Sequence, residues 1–197
     1  MKLLAFAASN SSTSINKQLV TYATTLIQAH EVEILDLNDY ELPLYSEDRN
    51  KALGEPKLAK QFLAKIAWCD ALVISFAEHN LSYSVAYKNI FDWASRINMK
   101  VFQNKPMILM ATSPGARGGL SVLETAIHTA PFFKGEVKGS FSLPNFYDNF
   151  DVKEQFGSYD RPATFVVSAT LWSVGKISLY DRRNFRTLCN GEIGRQL

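Results

Sequence analysis

The chain is poor in the residues that build disulfide frameworks and metal centres. It has 2 cysteines, Cys69 and Cys189, and 3 scattered histidines in 197 residues. Neither set has metal-ligand spacing, and two cysteines make no framework. The longest apolar runs are far too short to cross a bilayer. No small-residue cleavage site follows the N-terminal apolar run, so no signal peptide is expected. A reduced, cytoplasmic setting is the resulting expectation. Repeats and low-complexity segments are absent. So are a Gly-x-Gly-x-x-Gly and a Gly-Lys-Ser/Thr after the first strand, which excludes the dinucleotide and P-loop fingerprints there. Strong charge is missing too. Net charge is +2, with residues 161–197 at +4 and the remainder at −2. A nearly neutral body argues against a nucleic-acid surface, and six cations spread along a tail are ordinarily solvated.

What is present is enough for one α/β domain, with 47% hydrophobic residues. Apolar strand-like runs alternate with amphipathic helical stretches. Residues 2–8 read as the first strand and 14–29 as the first helix. The second strand covers 32–37, and 38–56 reads as a long surface loop. A second helix carries Leu58, Phe62, Leu63 and Ile66 on one face. The continuous apolar run Ala71 to Phe76 marks a strand buried on both faces. A third helix runs from Ser84 to Ile97, with Val85, Ile90, Trp93 and Ile97 inward. Pro106 to Met110 is the fourth strand. Gly118-Gly119 open a fourth helix, and Val137 to Leu143 is the fifth strand.

Five strands alternating with helices predict a parallel sheet with right-handed crossovers. Ligands in such sheets sit beyond the carboxyl ends of the strands. In the order 2-1-3-4-5, the loops after the first, third and fourth strands meet. The first is Ser9-Asn10-Ser11-Ser12-Thr13-Ser14-Ile15-Asn16. A buried strand, a hydroxyl-rich turn and a helix start suit a phosphate. An ordinary capped turn is the competing reading. The second loop, Ala77 to Ser84, offers Glu78, His79, Asn80 and Ser82 to a flat heteroaromatic ring. Alternatively its serines and Asn80 cap the next helix. The third, Ser113-Pro114-Gly115-Ala116-Arg117-Gly118-Gly119, permits close backbone approach. Its glycines also suit a turn alone, and Arg117 suits phosphate, ring or solvent.

Together these loops resemble those of the NAD(P)H-dependent FMN reductases, a flavodoxin-like family. The family's first loop reads Gly-Ser-x-Arg-x-x-Ser-x-Asn. Ser9, Ser14 and Asn16 match it, while Ala8 replaces the glycine and Ser11 the arginine. The second reads Pro-Glu-Tyr-Asn-x-Ser, then Lys-Asn and Asp-Trp. Glu78, Asn80, Ser82, Lys88-Asn89 and Asp92-Trp93 match, with Ala77 and His79 changed. Residues 113–119 and Phe141 to Asp151 resemble one branch closely. The resemblance implies a three-layer α/β sandwich over residues 1–154, followed by an atypical tail, 155–197. It implies FMN as cofactor, NAD(P)H as co-substrate and a small-molecule acceptor: flavin, quinone, azo compound or metal oxyanion. A flavodoxin-type electron carrier is the alternative. The implied phosphate site is Ser9, Ser11, Ser14, Ile15 and Asn16. The implied ring border is Glu78, His79, Asn80, Ser82, Ser113, Pro114, Gly115, Arg117, Gly118 and Gly119. No catalytic acid, base or nucleophile is implied, since the flavin carries the chemistry. The family implies a homodimer or homotetramer, with no nucleic acid or membrane partner. Phe91, Trp93, Phe132, Phe133, Phe146 and Tyr147 are the interface candidates, Trp93 being better suited to the core.

Overall fold

A computed structural model describes residues 1–150 and the backbone of two short strands beyond them. The central sheet is parallel, built from β1 (Lys2–Ala8), β2 (Glu31–Leu35), β3 (Ala71–Phe76), β6 (Lys105–Thr112) and β7 (Gly135–Leu143). Its order is β2-β1-β3-β6-β7, the expected 2-1-3-4-5 among the sheet strands. β1, β3 and β6 are therefore neighbours, and their carboxyl ends lie side by side.

The strands read as apolar on both faces because both faces are covered. Leu4, Phe6 and Ala8 of β1 join the core under α3 (Lys57–Trp68), α4 (Val85–Ile97) and α5 (Leu120–Thr129). Leu3, Ala5 and Ala7 face the other core, which α1 (Ile15–Thr25) and Phe146 help to fill. Phe62, Trp93 and Phe146 are fully buried. Burying a side chain of that size contributes about 1.5–3 kcal/mol, so these aromatics dominate the packing. Phe91 is also buried, while Phe132 and Tyr147 are exposed. Phe133 is half-buried against the core, so of the six interface candidates Phe132 and Tyr147 are the ones left exposed to a partner.

Several expected boundaries move. α1 ends at Thr25 rather than at 29. Thr24 and Thr25 donate their hydroxyls to the carbonyls of Thr21 and Tyr22, and Leu26 N–H turns to the Ala23 carbonyl. Such local bonds compete with further helix. β2 stops at Leu35, because Asp36 caps a 3₁₀ turn over Leu37–Tyr40. The expected loop 38–56 contains α2 (Glu47–Leu53), capped by the Ser46 hydroxyl. That helix buries no residue, so it has no apolar stripe to read. Val85, expected inward, is 67% exposed. It stands at the first position of α4, outside the buried stripe of Tyr87, Ile90, Phe91 and Ala94.

Asn89 and Trp93 have framework roles. Asn89 Oδ1 accepts from Tyr45 N–H, and its Nδ2 donates to the Leu42 carbonyl. Trp93 Nε1 donates to the Pro43 carbonyl at 2.8 Å. Together they strap the long connection to α4. The expected domain boundary at 154 lies outside the described residues. Within the tail, Phe165–Ser168 (β8) pairs antiparallel with Ser178–Asp181 (β9).

Cys69 is 1% exposed, and its Sγ donates to the Ile66 carbonyl. Burial pushes its thiol up to about 11, against the pull of the nearby Lys105 charge. A thiol held protonated is a poor nucleophile. In a Cys189→Ser background the native protein should therefore give no reaction with a thiol reagent at pH 8, and one equivalent after denaturation. Rapid labelling of the native protein would contradict this burial.

Candidate cofactor site

The phosphate-type loop is shaped by its own hydroxyls. Ser9 Oγ accepts from Ser11 N–H at 3.2 Å, and Ser14 N–H donates to the Ser11 carbonyl. The chain is thus curled before α1 begins. Ser14 caps the helix, its Oγ accepting from Lys17 N–H at 3.2 Å. The backbone N–H groups of Ser12, Thr13, Ile15 and Asn16 donate to no described residue. They cluster at the positive end of the α1 dipole. Because Ser14 Oγ acts as an acceptor in its cap bond, its own hydrogen is left to donate. Residues 8–16 contain no acidic side chain. This donor set fits a phosphate dianion.

Asn16 departs from the expected arrangement. Its side chain does not face the loop's ligand side but is consumed within the fold. Nδ2 donates to the Thr112 carbonyl at 3.1 Å, and Oδ1 accepts from Thr112 N–H at 3.0 Å. Ser75 Oγ donates to the same Oδ1 at 2.7 Å. Oδ1 and one Nδ2 hydrogen of Asn16 are thus committed to the fold, while its backbone N–H donates to no described residue. Lys17, the nearest cation, is also engaged, with Asp36 at 2.5 Å. That contact, with the Asn38 N–H, holds the Asp36 carboxyl below its ordinary range. The loop's donors are therefore neutral.

The second loop is a β-hairpin, Glu78–His79 (β4) paired with Ser82–Tyr83 (β5). Asn80 and Leu81 turn it with φ of 51° and 64°, the signature of a two-residue type I′ turn. Asn80 is therefore a turn former rather than a cap. His79, Asn80 and Ser82 are exposed on it. Ser84 is the cap of α4: its Oγ accepts from Tyr87 N–H and donates to the Ala8 carbonyl. Glu78 spans to the third loop, where Oε2 accepts from Val122 N–H at 3.0 Å. A carboxylate at the start of α5 also complements the helix dipole. Glu78 thus acts as a brace between two loops, with one oxygen committed.

The third loop divides between scaffold and surface. Gly118 and Gly119 have φ of 58° and 73° and are buried. A Cβ on Gly118 would stand 2.7 Å from Pro144 N and 2.8 Å from the Leu143 carbonyl carbon. These two glycines serve the chain's own turn. Gly115 differs: a Cβ there meets nothing closer than 4.0 Å. Ser113 is half-buried, and Pro114 and Gly115 are exposed. Arg117 is exposed and donates to Ser121 Oγ at 2.9 Å.

The structure thus brings the three loops to one edge of the sheet and sorts their residues. Ser14 Oγ and the N–H groups of residues 12, 13, 15 and 16 form a donor cluster whose chemistry fits a dianion. Asn16, Glu78, Gly118 and Gly119 build the frame. His79, Asn80, Ser82, Pro114 and Gly115 are left on the surface. The motif reading missed Ser75 and Thr112, while the capping role read for Ser84 is the one the structure shows. Ser75 carried a signal, a lone hydroxyl inside an otherwise apolar strand.

This fold and this loop set define a class of flavodoxin-like reductases, and the family comparison agrees. The model of the NADPH-dependent FMN reductases matches residues 1–149, and the chain belongs to that family. An NAD(P)H-dependent FMN reductase of Pseudomonas aeruginosa is 34% identical over 119 residues, 60% of this chain and 63% of that protein. A 2-hydroxy-1,4-benzoquinone reductase of a Burkholderia species is 34% identical over 120 residues, again 60% and 63%. The chain thus spans less than two thirds of the length of these relatives. Among solved structures, FerB, a flavoenzyme NAD(P)H:(acceptor) oxidoreductase from Paracoccus denitrificans, superposes with a TM-score of 0.60. It is 24% identical, with 77% of this chain and 81% of that one covered, and so shares the fold.

The cap and ligand roles of Ser14 can be separated. Ser14→Ala should weaken FMN binding by about 1–3 kcal/mol, roughly 5- to 100-fold. Ser14→Asp keeps an excellent N-cap but sets a negative charge against the phosphate. It should retain thermal stability and lose FMN more completely, as read by calorimetry. Wild-type affinity in Ser14→Asp would show that the hydroxyl only caps.

Proposed function

We propose that this chain is an FMN-dependent oxidoreductase that takes hydride from NADH or NADPH and reduces a small-molecule acceptor. The observation that carries this reading is the Ser9–Asn16 turn. It presents four amides that donate to no described residue, and the hydroxyls of Ser9, Ser12 and Ser14 with their hydrogens uncommitted among the described residues, at the carboxyl end of β1. Two further loops flank it on neighbouring strands. Bound FMN supplies the hydride chemistry and the onward electron transfer. The residues of this chain bind and orient it. Ser14 and the amides of residues 12–16 hold the phosphate. Ser9 sets the curl of that loop. The hairpin tip, with His79 and Asn80, borders the ring from one side, and Ser113 to Gly115 border it from the other. Glu78 keeps these two walls at a constant separation through its bond to Val122 N–H.

The relatives' names support a quinone or azo compound as acceptor. They include quinone reductases of Escherichia coli and an NADPH azoreductase of a Bacillus species. Such acceptors are flat and conjugated, which suits stacking at a site open to solvent. We also assign a cytoplasmic setting and a homo-oligomer, either dimer or tetramer. Leu81, Val85 and Phe132, each more than 60% exposed, are apolar surface that an oligomer would cover. Among the described residues no helix is long and apolar enough to cross a membrane.

The decisive measurement is spectroscopic. The purified protein, reconstituted with FMN, should show bound-flavin absorbance, and NADH or NADPH added under nitrogen should bleach it within one turnover. Benzoquinone or an azo dye should then restore it. A flavin spectrum that neither nucleotide bleaches would replace the enzyme with an electron carrier. An apo-protein indifferent to FMN would end the reading.

A further inference from the structure

We infer that Asn16 is a positioning residue: its side chain sets the phosphate-binding amides of α1 by fastening the start of the helix to the ends of β3 and β6. The inference rests on the reading of the loop as an FMN phosphate site. It differs from that reading in removing the Asn16 side chain from the ligand and giving it a task inside the fold.

The geometry is that of a peptide pair. The carboxamide of Asn16 meets both polar groups of one residue, Thr112 N–H at 3.0 Å and Thr112 C=O at 3.1 Å. It behaves as a single extra rung at the end of β6, one residue past the last pairing with β3, Phe76 with Ala111. Ser75 Oγ, 2.7 Å from Oδ1, closes the cluster from β3. Asn16 is 3% exposed, Ser75 0% and Thr112 1%. In such a site each of these bonds is hard to exchange for water, and each unmade one is costly.

The two ends of this fastening are not equally held. Thr112 lies within the β6–β7 ladder, opposite Leu143, and its Oγ1 also donates to the Leu143 carbonyl at 2.7 Å. Ser75 lies within β3, paired to β1 and β6. Both are fixed whatever Asn16 does. The first turn of α1 is not part of a ladder: Ile15 packs against the core, but among the described residues only the Asn16 carboxamide hydrogen-bonds this turn to the sheet. Its N–H groups point outward as ligand donors, and the Ser14 cap orders it only locally. Loss of the Asn16 bonds therefore moves the phosphate amides and leaves the sheet in place. Moving a donor array by a fraction of an ångström costs binding to the group that needs every donor, here a dianion. It costs little to a ligand without that group.

The test compares FMN with riboflavin, which has the same ring and no phosphate, on the full chain. Asn16→Asp is nearly isosteric and keeps one acceptor, but when ionised it sets a carboxylate against the Thr112 carbonyl. At pH 8 it should lose FMN affinity at least ten times more than riboflavin affinity. Lowering the pH until this buried carboxyl is protonated returns a donor toward Thr112, and the FMN deficit relative to wild type at the same pH should then shrink several-fold. Ser75→Ala, which adds no charge, should show the same FMN-selective loss on a smaller scale, about two- to five-fold. The inference is overturned if both flavins weaken in parallel with a falling melting temperature, or if Asn16→Asp binds FMN as wild type does at pH 8. A wild-type protein that binds neither flavin would instead reject the phosphate-site reading beneath it.

Discussion

The carboxyl edge of the sheet is sewn together by a row of buried polar groups, and the rest of the site depends on that row. Ser84 reaches the last carbonyl of β1, Asn16 and Ser75 meet at β3, and Thr112 joins Asn16 to β7 through Leu143. A parallel sheet ends with backbone groups that its own ladder leaves unpaired, and burying them without partners costs about 1–3 kcal/mol apiece. Side chains from the following helix or strand meet these needs. The requirement also fixes where α1 and α4 begin, because their first residues are the ones doing the bonding. The three loops are then short spans between fastened points, so their geometry follows from the frame.

This construction explains how the proposed phosphate site would function without a cation in its loop. An arginine at position 11 would supply charge but also a long, mobile side chain. Ser11 supplies neither. Lys17 could have substituted, but Asp36 holds it, and Asp36 is in turn engaged with Asn38. What remains is amide dipoles and neutral hydroxyls, those of Ser9 and Ser14 oriented by the fold before any ligand arrives. Preorganised neutral donors gain most when they are held rigidly, since little ordering is left for binding to demand. Rigidity is what the Asn16 carboxamide and the Ser14 cap provide, so the missing arginine and the buried polar row belong to one design.

Much of the fold was legible because strands buried on both faces announce themselves. Ala71 to Phe76 has no reading other than a central strand, and Leu58, Phe62, Leu63 and Ile66 specify a helix with one inward stripe. Elements that bury nothing were illegible. α2 is polar on every side, and only its Ser46 cap with Glu47 and Asp48 hints at it. The hairpin was hidden by its turn, since type I′ turns favour Asn-Gly and here the second position is Leu81. Of the site, the loops and their order were readable, and the division of labour within them was not. Asn16 matches a binding motif, yet its partner Thr112 lies 96 positions away, and no local pattern discloses that pairing. Glu78 and Val122, 44 positions apart, are the same case.

The third loop shows why a motif match needs the structure to be interpreted. Its three glycines look alike in the sequence and do different things. Gly118 and Gly119 adopt positive φ and sit against the chain from 142 to 144 and against Ala111, so they are required whether or not a ligand binds. Gly115 has open space around its α-carbon, and its carbonyl anchors the turn by accepting from Gly118 N–H and Asn145 N–H. A side chain at 115 would disturb no packing and would project from the loop surface. The fold itself therefore does not require glycine at 115, and this exposed stretch, not the buried pair that follows, is where the proposed site leaves room for a flat ring to approach the backbone.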